Sequence, residues 1–158
     1  MAREYNHDYA TCDETYATLC VYHHDLDPDA VSHLLELRPT RSQRRGDVRN
    51  PNAAAPVPLP TGAWFLCTRD ASRSRDVRFH IDLLLRVLAE KGDAIRQLAA
   101  QGCQLRIDCY WESAHGHGGP MIWPETMARL AELGIELGFD VYFYGEDGRP
   151  PRATPEAP

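Results

Sequence analysis

Histidine side chains cluster at two points of the chain where strand-like segments end. His23-His24 closes the first such segment, and His115-Gly116-His117 follows a later one. Imidazole nitrogens bind zinc or nickel, and a carboxylate from Glu112 or Asp25 would serve as a further ligand. On this interpretation the chain is a metal-dependent hydrolase, and its candidate metal ligands are His23, His115 and His117.

The alternative interpretation of these histidines is that they lie in ordinary solvated loops. Their spacing matches no recognised metal-binding motif, and a His-Gly-His run in a glycine-rich turn arises readily by chance. We favour this alternative. The metal-dependent hydrolase is therefore the second of two predicted functions, and the identity of any metal is unknown.

A basic segment follows the first predicted helix. It contains Arg41, Arg44 and Arg45, followed by Gly46 and Asp47. Guanidinium groups bind phosphate or carboxylate through paired hydrogen bonds, and a glycine lets the backbone approach an anion closely. The segment is therefore a candidate binding site for a small anionic ligand. Alternatively, Arg41 or Arg45 pairs with Asp47 or with a helix acid and holds a long loop in place.

Aromatic residues alternate with charged ones along the predicted strands. The alternation predicts an outward sheet face made of Tyr16, Tyr22, Trp64, Tyr110, Tyr142 and Tyr144, interleaved with Arg106, Asp108, Glu112 and Asp140. Tyr and Trp are enriched at protein interfaces, and a face with this many aromatic rings is unfavourable to leave in water. We therefore expect this face to bind a protein partner or a second copy of the chain, with Trp64, Tyr110 and Tyr142 among the contact residues.

Motifs of catalysis are missing from the sequence. It has no serine elbow, no phosphate-binding Walker loop and no His-Glu-x-x-His motif. Asp108 and Glu112 fall on one face of a predicted strand, and His117 follows them, so a general acid–base pair is conceivable. Chance explains that grouping equally well. We predict no catalytic residue and no cofactor.

Composition limits the classes of partner. The 158 residues are 43% hydrophobic and 25% charged, with a net charge of −6. A nucleic-acid-binding surface needs basic residues, and an anionic membrane repels an acidic protein, so we expect neither partner. The N-terminus lacks the apolar stretch of a signal peptide. The five cysteines show no Cys-x-x-Cys pair and predict no disulfide framework. These features predict a cytoplasmic protein.

Hydrophobic periodicity predicts the order strand, helix, strand, long helix, strand, helix, strand. The strands fall within 15–23, 62–69, 103–112 and 135–144, and each alternates between apolar and polar positions, which indicates one buried face. The long helix within 73–101 is interrupted at Lys91-Gly92-Asp93, and residues 38–61 form a long connection. The predicted fold is α+β: a two-layer sandwich with a mixed or antiparallel sheet of four or five strands and helices on one face.

Two segments of the chain repeat one pattern, 96 positions apart (122 − 26 = 96). Residues 26–37 and 122–133 both read aliphatic, x, Pro, acid, x, aliphatic, x, x, Leu, x, Glu, Leu, and each follows a strand-like segment. The match predicts an internal strand–helix duplication. The matched positions are helix-start and core positions, so the duplication concerns the scaffold.

The chain divides into three predicted parts. Residues 1–13 are polar and are expected to be a flexible N-terminus. Residues 14–145 form a single α+β domain. Residues 146–158 form a flexible, Pro-rich tail.

Several short motifs resemble those of a known family. They are Asp25-Leu26-Asp27-Pro28, Pro39-Thr40-Arg41-Ser42, Gly46-Asp47, Thr61-Gly62-x-Trp64, Trp111-x-Ser113, Gly118-Gly119, Pro124-Glu125, Leu130-Ala131-x-Leu133-Gly134 and Asp140-x-Tyr142. Together they resemble the bacterial family of domain of unknown function 4279, over about residues 13–144. The resemblance implies a small intracellular bacterial protein and supplies no catalytic residue or cofactor. At His115 and His117 the family tends to have small polar residues or glycine.

The leading prediction is a non-catalytic binding or interaction module. It would engage a protein partner or a small anionic ligand through the aromatic sheet face or the segment from Arg41 to Asp47. A toxin-neutralising immunity role is one version of this function. The alternative is the metal-dependent hydrolase built on the histidines.

Overall fold

The computed structural model describes residues 4–145. Its five strands are β1 (Cys12–His23), β2 (Arg41–Gln43), β3 (Gly62–Cys67), β4 (Gln104–Ser113) and β5 (Glu136–Tyr142). Its four helices are α1 (Pro28–Leu35), α2 (Val77–Val87), α3 (Gly92–Ala100) and α4 (Pro124–Leu133). Within the described residues no helix is long and apolar enough to cross a membrane.

The strands form one mixed sheet in the order β2-β3-β1-β4-β5. The central strand β1 runs antiparallel to both β3 and β4. β5 runs parallel to β4, because α4 carries the chain back across the sheet between them. The predicted α+β class is therefore confirmed, with five strands and a mixed sheet.

The helices cover one face of the sheet and bury the apolar half of each central strand. On β1 the buried set is Ala17, Leu19 and Val21, and across the β1–β4 pairing Ile107 lies opposite Leu19. The buried residues of α2 belong to the same core cluster. Side chains alternate between the two faces of a strand, so this arrangement turns every second residue of β1 toward the uncovered face.

The two helices of the sequence repeat have matching ends. Each begins on a proline at its first helical position, and each ends at a residue in the left-handed conformation, Glu36 for α1 and Gly134 for α4. A proline at the first turn loses no hydrogen bond, and a left-handed residue closes the last turn. The strands that follow differ, since α1 is followed by β2, which pairs with β3, whereas α4 is followed by β5, which runs parallel to β4. A duplication of the whole strand–helix unit stays a prediction.

The N-terminal segment from residue 4 packs against α2, where the sequence had predicted flexibility. The Tyr5 hydroxyl donates to the Asp82 carboxylate at 2.7 Å, and the Asn6 amide donates to Asp76 at 2.7 Å. The Tyr5 ring also meets Phe79 edge-on at 5.1 Å. Specific side-chain contacts thus order a polar segment that lacks any periodic pattern. Residues 1–3 and the predicted tail 146–158 lie outside the described residues.

The connection from residue 38 to residue 61 contains a strand that periodicity did not predict. β2 is only three residues long and pairs with β3, with Arg41 opposite Phe65. Three residues are too few to show a period of two. Residues 121–123, between β4 and α4, have no regular secondary structure.

Trp64 is buried under the helices, so its predicted place on the outward face is wrong. The β1–β3 register pairs Val21 with Trp64 and Cys20 with Phe65. Trp64 therefore shares the helix-covered face with Val21, and Phe65 takes the outward position. The indole Nε1–H of Trp64 donates to Ser32 Oγ of α1 at 2.9 Å, which satisfies the one polar atom of the buried ring.

The end of β5 is more exposed than its alternation predicts. Ile135 is buried, but Phe139, Val141 and Phe143, all expected to point inward, are 40%, 64% and 54% exposed. β5 is an edge strand, and the core reaches only Leu137 of β5 and Ile135, which precedes it. On α4, Met127 is 50% exposed, whereas Thr126 is buried.

We expect Trp64→Ala to lower the free energy of unfolding by about 3–5 kcal/mol, because it removes a fully buried ring and leaves a cavity. Urea denaturation followed by circular dichroism measures the change. Met127→Ala, which truncates a half-exposed side chain, is the control and should cost about 0.5 kcal/mol or less. A loss for Trp64→Ala as small as the control's would contradict the buried position.

Candidate functional site

The uncovered face of the sheet carries a shallow concavity of about 410 Å³. We call this surface the tyrosine face. It is lined by Tyr16, Thr18, Cys20, Tyr22, Arg41, Phe65, Asp108, Tyr110, Asp140, Tyr142 and Tyr144. All five strands contribute to the tyrosine face, because alternate side chains of a strand point to opposite faces of the sheet. Tyr144 lies two residues beyond the end of β5.

Four tyrosine rings form a continuous stack across three strands. Tyr16 of β1 lies directly opposite Tyr110 of β4, and their ring centroids are 4.8 Å apart with planes within 6°. Tyr110 stacks on Tyr142 at 5.0 Å, and Tyr142 on Tyr144 at 6.0 Å. The Arg69 guanidinium lies over the other side of the Tyr16 ring, 5.1 Å from its centroid. The flat sides of the inner rings are therefore covered by neighbouring rings.

The hydroxyl groups of this stack are held as hydrogen-bond donors. The Tyr110 hydroxyl donates to Glu112 Oε2 at 3.1 Å, and the Tyr142 hydroxyl donates to Asp140 Oδ2 at 3.1 Å. Burial, together with hydrogen bonds to Tyr144 and Glu112, raises the pKa of Tyr110. The hydrogen bond to Asp140 raises the pKa of Tyr142. Both phenols stay protonated at neutral pH, and the contacts fix their ring orientation.

A second row crosses the sheet nearer the β2 edge. The Arg41 guanidinium lies 4.3 Å above the Phe65 ring, and Phe65 meets Tyr22 edge-on at 5.6 Å. Arg106 lies 4.9 Å above Tyr22 and donates from Nε to Asp108 Oδ2 at 2.9 Å. Cation–π contacts of this kind hold both arginines flat on the surface.

Cys20 lies at the floor of the tyrosine face and is almost fully buried. Its thiol donates to Asp108 Oδ2 at 3.6 Å. Burial, reinforced by the negative charge of Asp108, raises the pKa of the thiol to about 11. Since only the thiolate is a strong nucleophile, Cys20 is a packing residue at neutral pH.

The arginines of the predicted anion site lie in two different places in the structure. Arg44 donates to Asp27 and to Asp29, both at 2.7 Å, and Arg45 pairs with Asp25 at 2.9 Å. The Asp47 carboxylate accepts the Arg44 backbone N–H at 2.7 Å. These arginines therefore pin the loop to the start of α1. Arg41 lies apart from them, on the tyrosine face.

The acidic partners at the start of α1 respond to these arginines. The hydrogen bond from Arg44 lowers the pKa of Asp27, which also caps the helix by accepting the Asp29 amide. The pKa of Asp25 is lowered by its hydrogen bond with His24 and by the charge of Arg45. The alternative from the sequence, in which Arg41 or Arg45 pairs with an acid and fixes a long loop, accounts for Arg45. Arg44, which that alternative did not name, forms the other two ion pairs.

The predicted metal ligands do not come together. His23 ends β1, whereas His115 and His117 follow β4. Because β1 and β4 are antiparallel, the two histidine groups lie at opposite ends of the sheet. Among residues 4–145 no group of three His, Cys, Asp or Glu side chains is arranged to hold a metal ion.

The tyrosine face includes residues that sequence reasoning missed. Phe65 was assigned to the inward set because Trp64 was placed outward, and Arg41 was assigned to the loop. The pairing of β1 with β3 would have placed Phe65 on the outward face, since Cys20 and Tyr22 must share a face with Phe65 and Ala63. Tyr110 and Tyr142, predicted as contact residues, both lie on this face.

We expect the carboxyl group of Asp27 to titrate below its usual range, and Arg44→Gln to raise its pKa because the guanidinium donor is lost. A pH titration of the carboxyl carbons by NMR measures both. Arg49→Gln removes an exposed arginine of the same connection and should leave the pKa of Asp27 unchanged. If Arg44→Gln also left it unchanged, the ion pairs would not hold the loop in solution.

The comparisons with known proteins concern the whole domain. No curated protein and no solved structure matches the chain. Residues 13–144, which span every strand and helix of the fold apart from the first residue of β1, match one family. The chain therefore belongs to the family described as Domain of unknown function (DUF4279).

Proposed function

We propose that the chain is a non-catalytic binding module that engages a protein partner through the tyrosine face. The observation that supports this most directly is the stack of Tyr16, Tyr110, Tyr142 and Tyr144, which lies uncovered in a concave surface. Stacking and hydrogen bonds fix these rings before any partner arrives. Binding therefore costs little side-chain entropy, which favours tyrosine as an interface residue.

The geometry of the stack favours a protein over a nucleic acid. Bases bind proteins by stacking on the flat side of an aromatic ring. Here the inner rings cover one another, so the surface offers ring edges and hydroxyl groups. Among the charged residues that line the concavity, Asp108 and Asp140 also outnumber Arg41. We infer a partner segment that carries Arg or Lys side chains next to apolar ones.

The other predicted functions have less support. A small anionic ligand would need the arginines of the basic segment, yet Arg44 and Arg45 pair with acids of the α1 start. A metal-dependent hydrolase would need the histidines in one place, and they lie at opposite sheet ends.

The proposed module works in the bacterial cytoplasm. Neutralising a toxin, as an immunity protein does, is one form of this function, and the net charge of −6 suits a basic partner. A second copy of the chain is the alternative occupant of the tyrosine face.

We expect Tyr142→Arg to abolish partner binding, because it breaks the stack and adds a positive charge where a basic segment would dock. Affinity purification from the native cells, with quantification of the co-purified proteins, compares the native chain with this variant. Val87→Arg, a substitution at a partly exposed residue of α2 on the helix side, is the matched control and should retain every partner. Partners that bind Tyr142→Arg and Val87→Arg equally well would exclude the tyrosine face as their docking surface.

A further inference from the structure

The outer edge of β5 is an unprotected sheet edge within residues 4–145. β5 is seven residues long and ends the strand order, so one side of its backbone has no strand partner among the described residues. It contains no proline and no lysine. Along it, Phe139, Val141 and then Phe143 expose apolar side chains on the helix-side face. Long apolar edges of this kind pair readily with another strand.

The opposite edge of the sheet shows the contrast. β2 has three residues, and its first, Arg41, carries an exposed charge. Short edges with charged residues resist pairing with other chains. Among residues 4–145, the edge at β2 is therefore short, whereas the longer edge at β5, which carries Glu136 and Asp140, has no strand on its outer side.

We propose that β5 pairs with β5 of a second copy, antiparallel, about a two-fold axis at Phe139. The axis follows from the strand bounds, because Phe139 is the midpoint of Glu136–Tyr142. Centring there pairs all seven residues of each strand. A two-fold axis makes the contact closed, so assembly stops at a dimer with one continuous ten-stranded sheet.

The charges of β5 fit this register. With Phe139 on the axis, Asp140 lies opposite Gly138 of the second copy, and Tyr142 lies opposite Glu136 of the second copy. A shift of the axis by one residue, to Asp140 or to Gly138, would place two carboxylates directly opposite each other. Like charges in directly opposed positions destabilise a strand pair. Charge therefore excludes both neighbouring registers.

The apolar side chains fit it as well. The Phe139 side chains of the two copies lie opposite each other at the axis, and Val141 lies opposite Leu137 of the second copy. These pairs bury the side chains of β5 that the helices of the same copy leave exposed. Aromatic and aliphatic cross-strand pairs are among the stabilising contacts of a sheet.

Light scattering on the purified native chain tests the dimer. We expect twice the 17.8 kDa chain mass, and we expect Val141→Arg to give a folded monomer, since each copy would then place an arginine directly opposite Leu137 of the other copy. Val57→Arg, at a similarly exposed valine of the 38–61 connection, and Tyr110→Glu, on the tyrosine face, should both remain dimers. A monomeric native chain at the highest soluble concentration would overturn the proposal. A dimer that Tyr110→Glu dissociates and Val141→Arg does not would also overturn it.

Disulfide trapping tests the register independently of stability. Oxidised Phe139→Cys should form a covalent dimer that reductant reverses, because the two sulfurs meet on the axis. Asp140→Cys, one position along, should not, since its opposite residue is Gly138 of the second copy. The native chain, with its own five cysteines, is the background control. Equal trapping at both positions would overturn the Phe139 axis.

Discussion

The antiparallel pairing of β1 with β3 and β4 decides which side chains share each face of the sheet. It aligns Leu19 with Ile107 under the helices and Tyr16 with Tyr110 on the open side. The same register turns Trp64 inward and Phe65 outward. A one-residue slip would exchange the two sets and expose the core. The buried face thereby fixes the arrangement of the tyrosine face.

Two sets of polar residues have different roles in this scaffold. Arg44 and Arg45 are tied to acids at the start of α1 and hold a long connection in place. On the tyrosine face, arginines lie on aromatic rings and the hydroxyl groups of the stack point to carboxylates. Both sets satisfy their polar groups within the chain. The second set also lies along a concave surface of stacked rings, and for that reason we propose it as the candidate site.

Sequence periodicity was sufficient for the fold class and for most elements. The alternation along β1 and β4 and the Pro-acid starts of α1 and α4 predicted the strands, the helices and the one-sided burial. It failed where the position of a side chain depends on pairing with another strand or on how far the helix layer extends over the sheet. Trp64 and Phe65 alternate equally well in either orientation, so only pairing with β1 chooses between them. The exposure of Phe139 and Val141 depends on how far the core extends, and the separation of the histidines depends on strand direction. None of these is encoded in local spacing.

If a partner covers the tyrosine face in the cell, as we propose, hydroxyl-radical footprinting will detect the protection. Tyr110 and Tyr142 should be modified in the purified chain and markedly less in intact cells that express it at its natural level. Met121 and Met127, which are 74% and 50% exposed outside the tyrosine face, provide the internal reference and should react alike in both settings. Equal modification of the tyrosines in cells and in the purified chain would contradict the claim.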